Sequence, residues 1–165
     1  MALLIVGVCL LFAIPAALSG NLLFATDIIL QRPSQVIVYD KGHTYTFERS
    51  DPEFDTLVNT AYQAIGTENG IREYGWSTAR FEQARTTGTA VEFVYSEPVK
   101  LPGKRIDIAD PTRLFFPLNV FGTTNEPDMV FRGDENKYWA VPIRVDTLDP
   151  LREAVNKIVR DKQQG

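Results

Sequence analysis

The sequence predicts an α+β protein, in which an N-terminal transmembrane helix is followed by one small domain. That domain is expected to have a mostly antiparallel sheet and two ββα-type units. Three observations lead to this prediction. Residues 1–26 of the 165-residue chain are mostly apolar and carry no charge. Short β-rich runs follow, and most connections between them are too short for parallel crossovers. Finally, a strand–turn–strand–helix pattern occurs twice, each time with an Asp-Pro pair before the helix.

The N-terminal run is long enough to cross a membrane. It contains 20 apolar residues among its 26, and at 1.5 Å per residue it would reach about 39 Å, against a hydrocarbon core of about 30 Å. Two interpretations remain open. Pro15, Ala17 and Ser19 resemble the end of a cleaved signal peptide, whereas the apolar continuation at 22–25 favours a retained anchor. We therefore expect an anchor, or a signal peptide, over 1–26.

The orientation of this segment rests on mixed signals. Arg32 and Lys41 follow the run, which by the positive-inside rule would place the domain in the cytoplasm. The run nevertheless resembles an export signal, and Asp27 and Asp40 lie beside the two cations. We expect a single-pass protein of the cell membrane with an extracytoplasmic domain. Small residues within the run offer surfaces for close helix–helix contact: Gly7, Ala13 and Gly20.

The first ββα unit follows a linker at residues 27–34. The β-rich runs 36–39 and 44–47 are joined by Asp40-Lys41-Gly42-His43, which is typical of a hairpin. Asp51-Pro52 then predicts a helix start. The helix is expected to end at Gly66, and its apolar face repeats at spacings of three and four.

The second unit has the same order. Residues 129–132 and 138–143 predict two strands around a turn at 133–136, and Asp149-Pro150 predicts the start of a second amphipathic helix. Between the units, residues 77–85 fit a short helix or an edge strand, and 90–95, 105–108 and 113–118 predict strands. We place the extracytoplasmic α+β domain at 35–162 and a C-terminal tail at 163–165.

Composition excludes several function classes. A net charge of −4 and a pI of about 5 argue against nucleic-acid binding. One cysteine and one histidine leave no disulfide framework and no Cys/His zinc cluster. Dinucleotide, P-loop, zinc-protease and nucleophile-elbow motifs are all missing. We therefore expect no enzyme, cofactor or metal site, although a hydrolase using His43 or a carboxylate pair is kept as a minor alternative.

Aromatic residues outside the helical stripes give the most useful lead. Most should be core, but rings left outside would form a protein-docking patch, because Trp, Tyr and Arg are enriched at interface hot spots. The candidates for this patch are Tyr74, Trp76, Phe81, Phe115, Phe116 and Phe121.

The resulting functional prediction is a non-enzymatic, single-pass membrane protein. Its extracytoplasmic domain is expected to bind another protein, as a regulator or as an accessory subunit of a membrane complex. Its partners would be membrane lipid, through residues 1–26, and a protein, with integral membrane proteins among the candidates. The alternative is an exported small-ligand-binding protein released by signal cleavage. The plan of an anchor and a small α+β domain is similar to that of accessory proteins of bacterial membrane signalling systems. The likeness is architectural and carries no residue across.

Overall fold

The computed structural model describes residues 32–72, 75–101, 110–120 and 128–164. The predicted anchor at 1–26, most of the predicted linker and the predicted strand at 105–108 lie outside these residues. The chain divides after Arg32, and residues 33–165 form one compact unit. Within the described residues, no helix combines the length and the apolar character needed to cross a membrane.

Seven strands and three helices follow one another in the described residues. In chain order they are β1 (Gln35–Asp40), β2 (His43–Glu48), α1 (Phe54–Gly66), β3 (Glu68–Ile71), α2 (Thr78–Thr86), β4 (Thr89–Val94), β5 (Arg113–Asn119), β6 (Met129–Gly133), β7 (Ile143–Val145) and α3 (Asp149–Gln164).

The strands form one sheet in the order β2-β1-β4-β5-β6-β7-β3. Every neighbouring pair is antiparallel, which confirms the predicted α+β class and the antiparallel sheet. β4, β5 and β6 lie in the middle of the order, and β4 is buried over nearly its whole length. The two edges of the sheet are β2 and β3.

Helices cover both faces of the sheet. Tyr62 of α1 packs edge-on against Phe93 of β4, and Phe81 of α2 packs against Phe115 of β5. Phe115 is paired with Glu92, the neighbour of Phe93 in β4. Because successive residues of a strand point to opposite faces, α1 and α2 lie on opposite sides. Lys162 of α3 contacts the Phe47 ring on the α1 side.

The first predicted ββα unit is confirmed by β1, β2 and α1. Lys41 and Gly42 form a two-residue turn with φ of 48° and 86°, a combination that matches the tight hairpins joining twisted strands. The start of the helix differs from the prediction. The Asp51 carboxylate accepts the Glu48 N–H at 2.7 Å, so it bonds the end of β2 and does not cap the helix. α1 therefore begins at Phe54.

The second unit is confirmed with a shifted strand. β6 pairs with β7 at Ile143–Val145, not with the predicted segment 138–143. The Asp134 carboxylate accepts the N–H groups of Asn136 and Lys137. This turn brings Tyr138 back to Gly133, where it makes a single bridge. The chain therefore needs several more residues before it can pair with β6 as a regular strand.

The C-terminal helix is fastened to the sheet by one arginine. Arg152 donates from Nε to the Leu118 carbonyl at 2.7 Å and from Nη1 to the carboxylates of Asp128 and Asp149 at 3.2 and 2.5 Å. The helix begins at Asp149, as predicted, and continues to Gln164, two residues beyond the predicted domain boundary. Residues 78–86 adopt the helical alternative as α2.

Candidate protein-docking site

The structure distributes the six predicted docking residues over different environments. Phe115 and Phe116 are fully buried and Phe81 is 6% exposed. Phe115 and Phe116 are successive residues of β5, so they point to opposite faces of the sheet. Trp76 is half-buried, and Tyr74 and Phe121 lie outside the described residues. As placed, the three phenylalanines belong to the core and cannot touch a partner directly. The docking patch itself stays a prediction, with Trp76 as its described member.

Trp76 belongs to an aromatic cluster between α2 and the sheet. We define this cluster as Trp76, Phe81, Phe115, Phe131 and Tyr138. Phe81 lies at its centre, with ring centroids 5.4 Å from Phe115, 4.8 Å from Phe131 and 4.6 Å from Tyr138. Trp76 lies 4.9 Å from Phe131 and 5.4 Å from Phe81. Edge-on and offset contacts of this kind stabilise aromatic pairs beyond the area they bury.

A buried carboxylate adjoins the aromatic cluster. Glu92 of β4 is 3% exposed and accepts hydrogen bonds from the hydroxyls of Tyr39 at 2.8 Å and Tyr138 at 2.6 Å. Arg113 donates to it at 3.0 Å, and Arg85 of α2 forms an ion pair with it at 3.5 Å. We call these five residues the Glu92 cluster. A buried charge is tolerated when it is paired and hydrogen-bonded in this way.

The Glu92 cluster joins α2 to three strands. The Arg85 guanidinium lies 5.4 to 5.7 Å from the ring centroids of Tyr39, Phe115 and Tyr138 and also pairs with the exposed Glu82 at 2.5 Å. One cation thus contacts three rings and two carboxylates. Because both Glu92 oxygens are already engaged, the carboxylate is poorly placed to act as a general base. The arrangement holds α2 in position.

The charge of Glu92 perturbs its neighbours. Burial, followed by the charge and hydrogen bond of Glu92, raises the pKa of Tyr39 to about 12. The same causes raise the pKa of Tyr138 well above its usual range. Burial lowers the pKa of Arg85, but the negative charge of Glu92 and the weaker contributions of both tyrosines and Glu82 outweigh it, so that the pKa rises. All three side chains keep their proton at neutral pH.

The raised pKa of Tyr39 predicts a loss of stability at alkaline pH. An unfolded tyrosine ionises near pH 10, whereas folded Tyr39 ionises near 12. The folded state therefore holds the extra proton between these values, and the free energy of unfolding falls as pH rises from about 10 to about 12. The free energy of unfolding can be measured across this pH range by urea unfolding followed by tryptophan fluorescence. It should fall less steeply with pH for Tyr39→Phe than for the parent protein. If the free energy of unfolding depended on pH in the same way for both proteins, the raised pKa of Tyr39 would be contradicted.

Trp76 and Arg80 form the outer part of this region. The Arg80 guanidinium lies 4.7 Å from the Trp76 ring centroid, a cation–π contact. The amides of Arg80 and Phe81 both donate to the Ser77 carbonyl, at 3.0 and 3.3 Å, at the start of α2. Behind the tryptophan, a Cβ on Gly75 would lie only 2.5 Å from the Ala140 carbonyl oxygen. Glycine is therefore required for this close approach, which helps to fix the position of Trp76.

The surface beside this pair is small and open. Ser77, Thr78 and Ala79 are exposed, while Trp76 and Arg80 are half-buried. We call these five residues the Trp76 ridge. Ile71 is the one large hydrophobic side chain that is strongly exposed in the described ranges. A docking surface among these residues would therefore be of the mixed polar and aromatic kind, rather than a wide apolar patch.

The other sequence-predicted candidates do not converge on a site. His43 is exposed and stacks on Tyr45 with ring centroids 6.5 Å apart. Glu92 is engaged in its cluster, whereas Glu97 is exposed. Across the described residues, no group of three or more His, Cys, Asp or Glu side chains is placed to hold a metal ion. The proposed helix-contact residues Gly7, Ala13 and Gly20 lie outside the described residues.

Sequence reasoning missed the Glu92 cluster, although one signal for it was present. Residues 90–95 read Ala-Val-Glu-Phe-Val-Tyr, a charged residue inside an otherwise apolar strand. In a strand covered on both faces, such a residue needs partners. The sequence does not show which cations and hydroxyls supply them, because Tyr39, Arg85, Arg113 and Tyr138 come from four separate segments.

Comparisons with known proteins place the fold but no family. No protein-family model matches the sequence, and no curated protein matches it. Among solved structures, the chain is similar to YycH from Bacillus subtilis, with a TM-score of 0.52 and 12% sequence identity. The match covers 81% of this chain but 38% of the YycH chain. At this identity the likeness concerns the fold alone.

Proposed function

We propose that this chain is a non-enzymatic, membrane-anchored protein whose domain binds another protein through the Trp76 ridge, as a regulator or accessory subunit of a membrane complex. The observation that carries the proposal is the pairing of Trp76 with Arg80 at 4.7 Å beside three small exposed residues. Tryptophan and arginine are the residue types most enriched at energetic hot spots of interfaces.

Rigid support favours this surface over others on the domain. Trp76 packs on Phe131 and Phe81, and α2 is held to the sheet through Arg85 and Glu92. A side chain already fixed by its neighbours loses little conformational entropy when a partner binds. The small residues 77–79 let a partner's backbone or side chain approach the indole closely.

The membrane part of the proposal rests on the charge-free run at 1–26, and the extracytoplasmic location on its likeness to an export signal. A regulator acting through the domain should tolerate an unrelated anchor. A complex subunit should also need its own anchor, for which Gly7, Ala13 and Gly20 offer close helix contact.

Site-specific photo-crosslinking tests the docking surface. A photoreactive phenylalanine analogue is introduced at Ala79 of the full chain, in its native membranes, and in parallel at Lys157, an exposed residue of α3. We expect a discrete adduct of the chain with one protein from Ala79 and none from Lys157, because the two positions lie on opposite sides of the sheet. Equal adducts from both positions, or none from Ala79, would contradict the proposal.

Carbonate extraction tests the anchor separately. Protein recovered from the membrane fraction is expected to resist extraction and to retain residues 1–26 by intact mass. A soluble protein that begins near Gly20 would instead establish signal cleavage, and the exported ligand-binding alternative would then replace the anchored one.

A further inference from the structure

The two edges of the sheet differ in how they are protected. β3 has four residues, an irregular register between Glu68 and Gly70, and a glycine with φ of 144°. Short and irregular edges of this kind resist pairing with another chain. β2 has six residues in unbroken register with β1, and contains neither proline nor lysine. It is therefore the open edge of the described sheet.

The hairpin geometry shows which backbone groups of β2 point outward. A two-residue turn makes Asp40 and His43 a hydrogen-bonded pair, and such pairs alternate along an antiparallel ladder. The Lys41 N–H donates to Gly88 on the β4 side at 2.8 Å, which fits this alternation. The N–H and C=O groups of Thr44, Thr46 and Glu48 therefore point away from β1.

Two of these three residues, Thr44 and Thr46, keep outward backbone groups that are available to pair with another strand. Both outward groups of Glu48 are engaged by Asp51, whose carboxylate accepts the Glu48 N–H at 2.7 Å and whose N–H donates to the Glu48 carbonyl at 2.9 Å. Thr44 and Thr46 are exposed, and their outward backbone groups make no hydrogen bond within the described residues. The edge therefore offers four backbone groups, two donors and two acceptors.

We propose that β2 pairs with β2 of a second copy of this chain, about a two-fold axis at Tyr45. Thr44 of each copy then faces Thr46 of the other, which satisfies all four open groups of each edge. Tyr45 is half-buried on the α1 side of the sheet. It faces Tyr45 of the second copy, and the two rings form a cross-strand aromatic pair. The pairing ends before Glu48, because the outward N–H and C=O groups of Glu48 are already bonded to Asp51.

Charge supports a second copy as the occupant. The antiparallel arrangement brings the exposed Lys41 turn of one copy to the carboxylates of Glu48 and Asp51 of the other. Arg49, the cation at the same end, donates from Nε to the Pro33 carbonyl at 3.0 Å. Each copy thus contributes one cation and one pair of carboxylates to the interface, and the same contact occurs twice, as a two-fold axis requires. This inference does not depend on the Trp76 ridge, which lies on α2.

Cysteine crosslinking tests the register directly. In full-length protein with Cys9→Ser, purified in mild detergent, Tyr45→Cys places two cysteines in a close cross-strand pair. Thr44→Cys is the matched control, because the two copies of residue 44 would lie about 8 Å apart, too far for a disulfide. We expect at least about fivefold more crosslinked dimer from Tyr45→Cys. Equal yields from the two variants would overturn the proposal.

Light scattering tests whether the same edge maintains the dimer. Thr46→Pro removes an outward N–H and leaves the ladder with β1 intact, since edge strands tolerate proline. We expect a dimer for the parent chain and for Thr46→Val, which keeps the N–H, and a monomer for Thr46→Pro. A monomeric parent chain, or a dimer that survives Thr46→Pro, would overturn the proposal. The cysteine pair remains decisive if the proline variant fails to fold.

Discussion

Replacing Glu92 with alanine is expected to lower the free energy of unfolding by about 3–5 kcal/mol, the usual effect of removing one partner from a buried ion pair. The carboxylate is 3% exposed and accepts from two tyrosines and one arginine, while a second arginine pairs with it. Its loss leaves the partly exposed Arg113 guanidinium and both tyrosine hydroxyls without their acceptor, and it leaves Arg85 with the exposed Glu82 alone. Urea unfolding of the full chain in mild detergent measures the effect.

Glu82→Ala is the matched control for this prediction. Glu82 pairs with the same Arg85 at 2.5 Å but is 58% exposed, so its removal should cost less than about 1 kcal/mol. Comparable losses for the two variants would mean that Glu92 is not the centre of the cluster.

Replacing Phe115 with alanine is the second large expected effect, also about 3–5 kcal/mol. Phe115 is fully buried and packs against Phe81 and Tyr138, with ring centroids 5.4 and 5.3 Å away. The truncation opens a cavity, and it also removes the ring beneath the Arg85 guanidinium. The same urea experiment measures the loss of stability.

Phe115→Leu tests whether the cavity causes the loss of stability. Because leucine fills much of the space, this variant should lower the free energy of unfolding clearly less than Phe115→Ala does. If Phe115→Ala left stability unchanged but abolished photo-crosslinking from Ala79, Phe115 would be a docking residue after all. The structure predicts the opposite, a variant whose remaining folded fraction still crosslinks.

The parts of the fold that the sequence predicts are those in which local pattern and tertiary environment agree. β1 and β2 show both β propensity and a two-residue turn, and α1 has its apolar residues at spacings of three and four. β7 lies at Ile143-Arg144-Val145 rather than in the predicted segment, although residues 138–141 have the stronger β propensity. The turn closed by Asp134 overrides that propensity. The sequence does not predict β3, because Glu68-Asn69-Gly70 has the composition of a turn and the strand forms only by pairing with β7.

The sequence predicts the candidate site only in part, because it does not show which faces of the sheet are covered by helices. Phe115 and Phe116 are adjacent, and either could have been exposed if one face of β5 were open to solvent. Only the three-dimensional structure shows that α1 and α3 cover one face while α2 covers the other. Trp76 precedes a short helix without a marked apolar stripe, so its half-buried position and its contact with Arg80 could not be read from spacing.

The central claim is that the Trp76 ridge, rather than the anchor alone, brings this chain to its partner. The most direct measurement is the yield of the Ala79 photo-adduct in native membranes when Trp76 is replaced by alanine, with Trp139→Ala as the matched tryptophan control. We predict that Trp76→Ala lowers the yield about tenfold or more, the effect of losing an interface hot spot, while Trp139→Ala leaves it near the parent value. For a regulator, the yield should also persist when residues 1–26 are exchanged for an unrelated single-pass helix, whereas an accessory subunit should lose part of it. An adduct that survives Trp76→Ala and disappears with the exchanged anchor would contradict the account.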